Sequence, residues 1–373
     1  MIKYLYIDDR KNGKQAIQNF PIKDKLDIDV VVPTEKNSGI LKLLKNYDGL
    51  IVDQQLDEDP IFNGTQCDFL GSTLAAQIRA KENEVFLTGK DISIPIILYS
   101  ANENAPKTFV GLELDFFDFM IFKSEFEYQD FKNKIPMYQA QMISLVNGYN
   151  KLKEVASICD SLYINNLDMI DSRFIFELKR RENHTAHSKA LFILNELIIK
   201  QGILIDEDIL AVRLGIDKNE STEGWVKVRD SLKDFGVEYQ GVFSDGWPRW
   251  WMPMVEKWWS EVIEEESYLQ FMSASERAKM ISEKLDIHIK AASAKSKFSD
   301  KDDYWTVCDY SKEPLSIENG LMLSGQENLY PWQDARYVSI MSAIEESLDI
   351  ADFENERLEY YKTILNQLNN DNK

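Results

Sequence analysis

The sequence predicts an α/β domain built on a parallel sheet, followed by a second, mainly α-helical half. Two observations carry this reading. Over the first ~130 residues short apolar runs alternate with polar stretches of helical texture, and after Phe131 strand signals become scarce. The chain has 373 residues, which is room for two or three domains, each with its own core.

The strand candidates are Lys3–Ile7, Ile28–Val32, Gly49–Val52, Ile94–Tyr99 and Phe117–Phe122. Several are nearly continuous apolar runs, as expected of strands covered on both faces of a parallel sheet. Helix candidates lie at Lys14–Phe20, Ser38–Lys45 and Gly71–Lys81, with a weaker one after Asn102. Strand and helix in alternation imply right-handed crossovers. From Met137 to about Cys159 the residues suit a helix, which Gly148 weakens. Phe174–Leu178 and Ala190–Ile199 continue the helical period, and Asp349–Leu368 reads as an amphipathic terminal helix. The polar run Ala294–Asp303 reads as a linker or long loop and a possible sub-boundary.

The charge balance, 43 basic against 63 acidic residues, gives a formal net charge of −20. Such a field repels nucleic acid phosphates unless the cations gather on one face. Cys67, Cys159 and Cys308 are scattered without a CxxC pair, which fits free thiols in a reducing compartment. With no leader-like start and no window near the ~20 apolar residues that cross a bilayer, the expected location is cytoplasmic, without membrane contact.

The chemistry-bearing residues collect at strand ends. Strand one ends in Asp8-Asp9, strand three in Asp53, strand four in Ser100-Ala101 and strand five in Lys123. In an open parallel sheet, ligands bind at the carboxyl ends of strands. Three carboxylates held together repel unless a cation lies among them, and a hard divalent ion with oxygen ligands, Mg²⁺ by default, suits them. The ion would offset charge on an incoming phosphoryl group and leave one aspartate to attack in line. Ser100 can donate to a phosphoryl oxygen, and Lys123 supplies a compact positive charge.

Residues Ile2 to Phe131 therefore resemble the receiver domain of bacterial two-component response regulators. The resemblance implies a doubly wound, five-stranded parallel sheet in the flavodoxin-like order 2-1-3-4-5. It further implies Asp53 as phosphoacceptor, Asp8, Asp9 and Asp53 as metal ligands with the Gln55 backbone carbonyl, Ser100 as switch hydroxyl, and Lys123 as reporter of phosphorylation. Phe69-Leu70-Gly71-Ser72, followed by Ala75-Ala76-Gln77-Ile78-Arg79, resembles the family's Gly-led third helix. A histidine kinase or a small phosphodonor is the implied partner. Three departures stand out: Ser124 where proline usually follows the lysine, Met120 where an aromatic switch residue is common, and a long segment from Asp53 to Gly71 holding Asp57, Glu58, Asp59 and Asn63-Gly64. Divergent receivers of this kind resemble those of bacterial conflict and anti-phage systems.

The expected organisation is a receiver at 1–131, a connecting helix at 132–165, and a helical output or interaction domain at 166–373. Gly246-Trp247-Pro248-Arg249-Trp250-Trp251 and Trp258-Trp259 read first as core, with Trp247, Arg249, Trp250 and Trp251 as a possible interface. His184 and His187 share a helical spacing but no metal-site context, and read as surface or capping residues. Ile209–Asp217 and Trp225–Leu232 could form a helix-turn-helix, yet beyond residue 134 the chain carries 27 basic and 41 acidic residues. No P-loop, GxSxG elbow, zinc-finger spacing or dinucleotide turn is present. The leading reading is phosphorylation-dependent control of a helical domain that binds a protein partner or a second copy of the chain. The alternatives are a DNA-binding regulator, a receiver-gated enzyme and a pseudo-receiver scaffold.

Overall fold

The computed structural model describes residues 1–9, 13–33, 37–56, 69–100, 113–123, 131–164, 166–264 and 267–371. The chain forms two compact units. The first comprises Met1–Asn165, Ile175–Asn195 and Gln240–Trp247; the second comprises Asn166–Phe174, Glu196–Tyr239 and Pro248–Lys373.

The first unit is built on a parallel sheet of β1 (Ile2–Ile7), β2 (Leu26–Val31), β3 (Gly49–Val52), β4 (Ile96–Ser100) and β5 (Phe119–Phe122), in the order β2-β1-β3-β4-β5. The apolar runs predicted as strands all appear, with ends shifted by up to two residues. Register aligns Ile7 with Val31 and Val52, so the residues that follow these strands leave the sheet at one edge. The helices α1 (Gly13–Ile17), α2 (Asn37–Leu43) and α3 (Gly71–Phe86) follow β1, β2 and β3. The helix expected after Asn102 lies outside the described residues. One core cluster packs Leu5, Ile7, Leu50, Val52 and Leu98 with Ile40, Leu74 and Ile78. Period-two alternation sends Tyr4, Tyr6 and Tyr99 elsewhere, into an aromatic layer in which Tyr6 meets Tyr99 edge-on at 5.7 Å and Phe20 meets Tyr99 at 6.4 Å.

The helix α4 (Phe131–Glu154) belongs to this unit, where Tyr4 donates its hydroxyl proton to the carbonyl of Met142 at 2.8 Å. Gly148, an apparent weakness in the helix, fits close packing: a Cβ there would lie 2.2 Å from the Phe243 ring. At the end of the sheet where β4 and β5 begin, a buried polar network joins Arg79, Glu82, Asp118, Tyr149 and His187. Arg79 pairs with Glu82 at 2.8 Å and Asp118 at 2.9 Å, and also donates to the carbonyls of Ile94 and Phe116. Asp118 further accepts from the Ile96 N–H at 2.8 Å and from the Tyr149 hydroxyl. After α5 (Ser172–Lys179) comes α6 (Ala186–Ile193), whose His187 places Nδ1 3.3 Å from Asp118 and 2.9 Å from the Tyr149 hydroxyl oxygen.

The second unit is mainly helical, with α7 (Glu207–Arg213), α8 (Thr222–Asp234), α9 (Met252–Trp258), α10 (Ala274–Leu285), α11 (Ile340–Glu345) and α12 (Asn355–Asp371). Asp206 caps α7 by accepting from the Ile209 N–H, and Ser273 with Glu276 forms a capping box on α10. Short antiparallel pairs add to the helices: Leu204–Ile205 with Trp250–Trp251, Thr306–Val307 with Pro314–Leu315, and Gly320–Met322 with Tyr337–Ser339. Residues 294–303 contain neither helix nor strand. The main core packs Trp225, Trp250, Trp258 and Trp259 with Leu210, Val228 and Ile281.

Candidate functional site

The carboxyl edge of the parallel sheet gathers the strand-end residues. Asp8 and Asp9 follow β1, Asp53 follows β3, Ser100 ends β4 and Lys123 follows β5. All three aspartates and Ser100 are at most 4% exposed, so their charges and dipoles act with little screening by water. The Lys123 ammonium forms an ion pair with Asp53 and lies 3.7 Å from Asp8 Oδ2. It also stands 5.0 Å from the centroid of the Tyr99 ring, a cation–π contact beneath the charge. Tyr6 donates its hydroxyl proton to Asp8. Burial, reinforced by Asp8, raises the Tyr6 phenol far above its ordinary range, and burial with Asp53 and Asp8 does the same to Tyr99. Both phenols stay protonated, Tyr6 as a donor to Asp8.

The backbone fixes Asp53 from two sides. Its N–H donates to the carbonyl of Ile7 at 3.1 Å, tying the end of β3 to β1. A Cβ on Gly71 would lie 2.2 Å from the Asp53 carbonyl oxygen, so only glycine allows α3 to begin this close. Gln54 completes the clasp: its side chain donates to Ser72 Oγ and accepts from the Ser72 N–H, both at 3.2 Å. Gln55 is exposed two residues after Asp53. Ala101, Ser124 and the acidic segment holding Asp57, Glu58, Asp59, Asn63, Gly64 and Cys67 lie outside the described residues. Met120 lies within β5, opposite Leu98.

Sequence reasoning missed Tyr6, Tyr99 and Gln54. A signal for the first was available, since Tyr6 and Asp8 are two apart on one strand and project to the same side. Gln54 and Ser72 offered none, because a pairing across 18 residues leaves no local pattern.

The carboxylate oxygens of Asp8, Asp9 and Asp53 are the donor type that a hard divalent cation takes. Among the described residues, however, no group of three or more His, Cys, Asp or Glu side chains is arranged to hold a metal ion. Lys123 faces Asp53 and Asp8 at the same edge.

The remaining sequence candidates fall elsewhere. Trp247 is buried in the first unit, edge-on to Phe119 at 5.8 Å, whereas Trp250 and Trp251 are buried in the second. Arg249 is half-buried and lines a cleft of the second unit. His184 contacts Ser188 at 3.2 Å, while His187 belongs to the Asp118 network.

The strand order gives the first unit a flavodoxin-like fold, with the acid–lysine constellation at its carboxyl edge. Among solved structures the chain is similar to the response regulator TrrA of Thermotoga maritima in complex with Mg²⁺-BeF, at 22% identity over 36% of this chain and 97% of that one, TM-score 0.25. It is also similar to a CheY-like receiver domain from Methylobacillus flagellatus, at 17% identity over 33% and 86% of the two chains, TM-score 0.23. A third similar structure is the complex of the Thermotoga maritima histidine kinase ThkA with TrrA, at 23% identity over 36% and 97%, TM-score 0.24. No protein-family model and no curated protein matches the chain.

Proposed function

We propose that the first unit accepts a phosphoryl group on Asp53 and that the resulting state governs what the second unit binds. The observation that carries this reading is the half-buried ion pair of Lys123 with the buried Asp53, with Asp8 3.7 Å from the ammonium and Ser100 at the end of the adjacent strand. In the transfer, an Asp53 carboxylate oxygen forms a bond to phosphorus while the bond from phosphorus to the donor breaks. From acetyl phosphate the leaving group is acetate, which departs with the electron pair; from a histidine kinase it is the imidazole. Lys123 moves from the Asp53 carboxylate to a phosphoryl oxygen, and the Ser100 hydroxyl donates to another. Asp8 and Asp9, with the carbonyl of Gln55, would hold Mg²⁺, which supplies charge neutralisation at the phosphoryl group.

The second unit then binds a protein partner or a second copy of the chain. Helices α7 and α8 overlap the two segments that read as a helix-turn-helix, but the excess of acidic residues beyond residue 134 argues against a nucleic acid partner. The resemblance of residues 2–131 to divergent receivers of bacterial conflict systems supports a role in bacterial defence. The test is intact-protein mass spectrometry after incubation with acetyl phosphate and Mg²⁺. Wild type gains one phosphoryl group and Asp53→Asn gains none; equal modification of the two, or of neither, rejects the proposal.

A further inference from the structure

The second unit contains a cleft of about 590 Å³ with Arg249 in its wall. Most charges lining it already have partners. Asp334 is held by Arg213, Asp208 pairs with Lys218, and Asp206 caps α7 while bonding Gln201. Lys200 bonds Glu196, and Lys312 and Arg336 each lie 3.5 Å from Asp309.

Arg249 differs. It donates from Nε to the carbonyl of Ile198 at 2.7 Å and from Nη1 to that of Pro248 at 2.8 Å, and among the described residues it has no ion pair. Burial lowers its pKa from the ordinary arginine value, with Asp206 opposing the shift. A desolvated cation is unfavourable until an anion meets it. The two carbonyls fix the guanidinium plane and leave further N–H donors for a bidentate partner. Around it lie apolar surfaces: Ile199, which is 48% exposed, with Ile209, Val307, Leu329 and Tyr337.

We propose that this cleft binds a small organic acid, whose single carboxylate is taken by the free donors of Arg249 and whose apolar body rests on Ile199, Leu329 and Tyr337. The four aspartates in the lining select against a polyphosphate, because each adds repulsion for every further negative charge. The volume falls within the range of pockets that enclose small molecules. This inference stands independently of phosphoryl chemistry at Asp53.

The test uses the full chain and the fluorescent probe 8-anilinonaphthalene-1-sulfonate, which has one anionic head on an apolar body. One saturable site is expected, displaced by 4-phenylbutyrate but not by its uncharged amide or by ATP. Arg249→Gln should weaken 4-phenylbutyrate at least tenfold. Ile199→Glu, a change at a half-exposed residue, should do the same by repulsion and decides the matter if Arg249→Gln fails to fold. Unchanged 4-phenylbutyrate affinity in folded variants, equal displacement by acid and amide, displacement by ATP, or no saturable site overturns the proposal.

Discussion

Replacing Asp118 by asparagine removes the carboxylate at the centre of the buried polar network. Asp118, Arg79 and Glu82 are each at most 4% exposed, so water cannot take over the lost interaction. Arg79 retains Glu82 and the carbonyls of Ile94 and Phe116, and the asparagine oxygen can still accept from the Ile96 N–H. Removing one partner of a buried pair costs about 3–5 kcal/mol, and these residual contacts put the expected loss near ~3 kcal/mol. With a urea dependence of about 1–3 kcal/mol per molar, the unfolding midpoint of the first unit should fall by roughly 1–3 M. Hydrogen exchange at the β4 and β5 amides, followed alongside urea unfolding, assigns the loss to that unit. Burial alone would raise the Asp118 pKa, but the charges of Arg79 and then His187 outweigh it and hold the carboxyl below its ordinary value. A depressed folded-state pKa stabilises above the unfolded value of about 3.9 and is lost as pH falls through the folded value. The advantage of wild type over Asp118→Asn should therefore persist at neutral pH and shrink below about pH 4. A loss under about 1 kcal/mol, or an advantage unchanged into acid, would refute the reasoning.

Gly148→Ala should destabilise by about 1–3 kcal/mol in thermal unfolding, although glycine-to-alanine changes normally favour a helix, because the new methyl meets the Phe243 ring. Gly71→Ala should slow acetyl phosphate labelling at least several-fold, since its Cβ displaces the Asp53 carbonyl; labelling at the wild-type rate would contradict the clasp. Lys123→Ala should still be phosphorylated, yet phosphodonor should no longer change hydrogen exchange along α4. A wild-type exchange response in that variant would remove the lysine from signal transmission.

The parallel sheet was legible because most of its strands, of four to six residues, are nearly continuous apolar runs. The strand-end aspartates, Ser100 and Lys123 were legible for the same reason, since the sheet's topology brings strand termini together. Pairings distant in sequence were not. Arg79 and Asp118 are 39 residues apart, Asp118 and His187 are 69, and neither spacing follows a helical or strand period. The assignment of 175–195 and 240–247 to the first unit was hidden likewise. In the second unit, paired strands of two or three residues are too short for alternation to register. The tryptophan cluster spoke for burial, but not that Trp247 and Trp250 serve separate units.

The central claim, that the carboxyl edge of the sheet is a working phosphoryl site, is tested most directly by fluorine NMR of the full chain with beryllofluoride and Mg²⁺. Beryllofluoride on Asp53 stands in for the phosphoryl group. The account predicts a bound resonance in wild type that requires Mg²⁺ and vanishes in Asp53→Asn. No bound resonance in wild type, or the same resonance in Asp53→Asn, would contradict it.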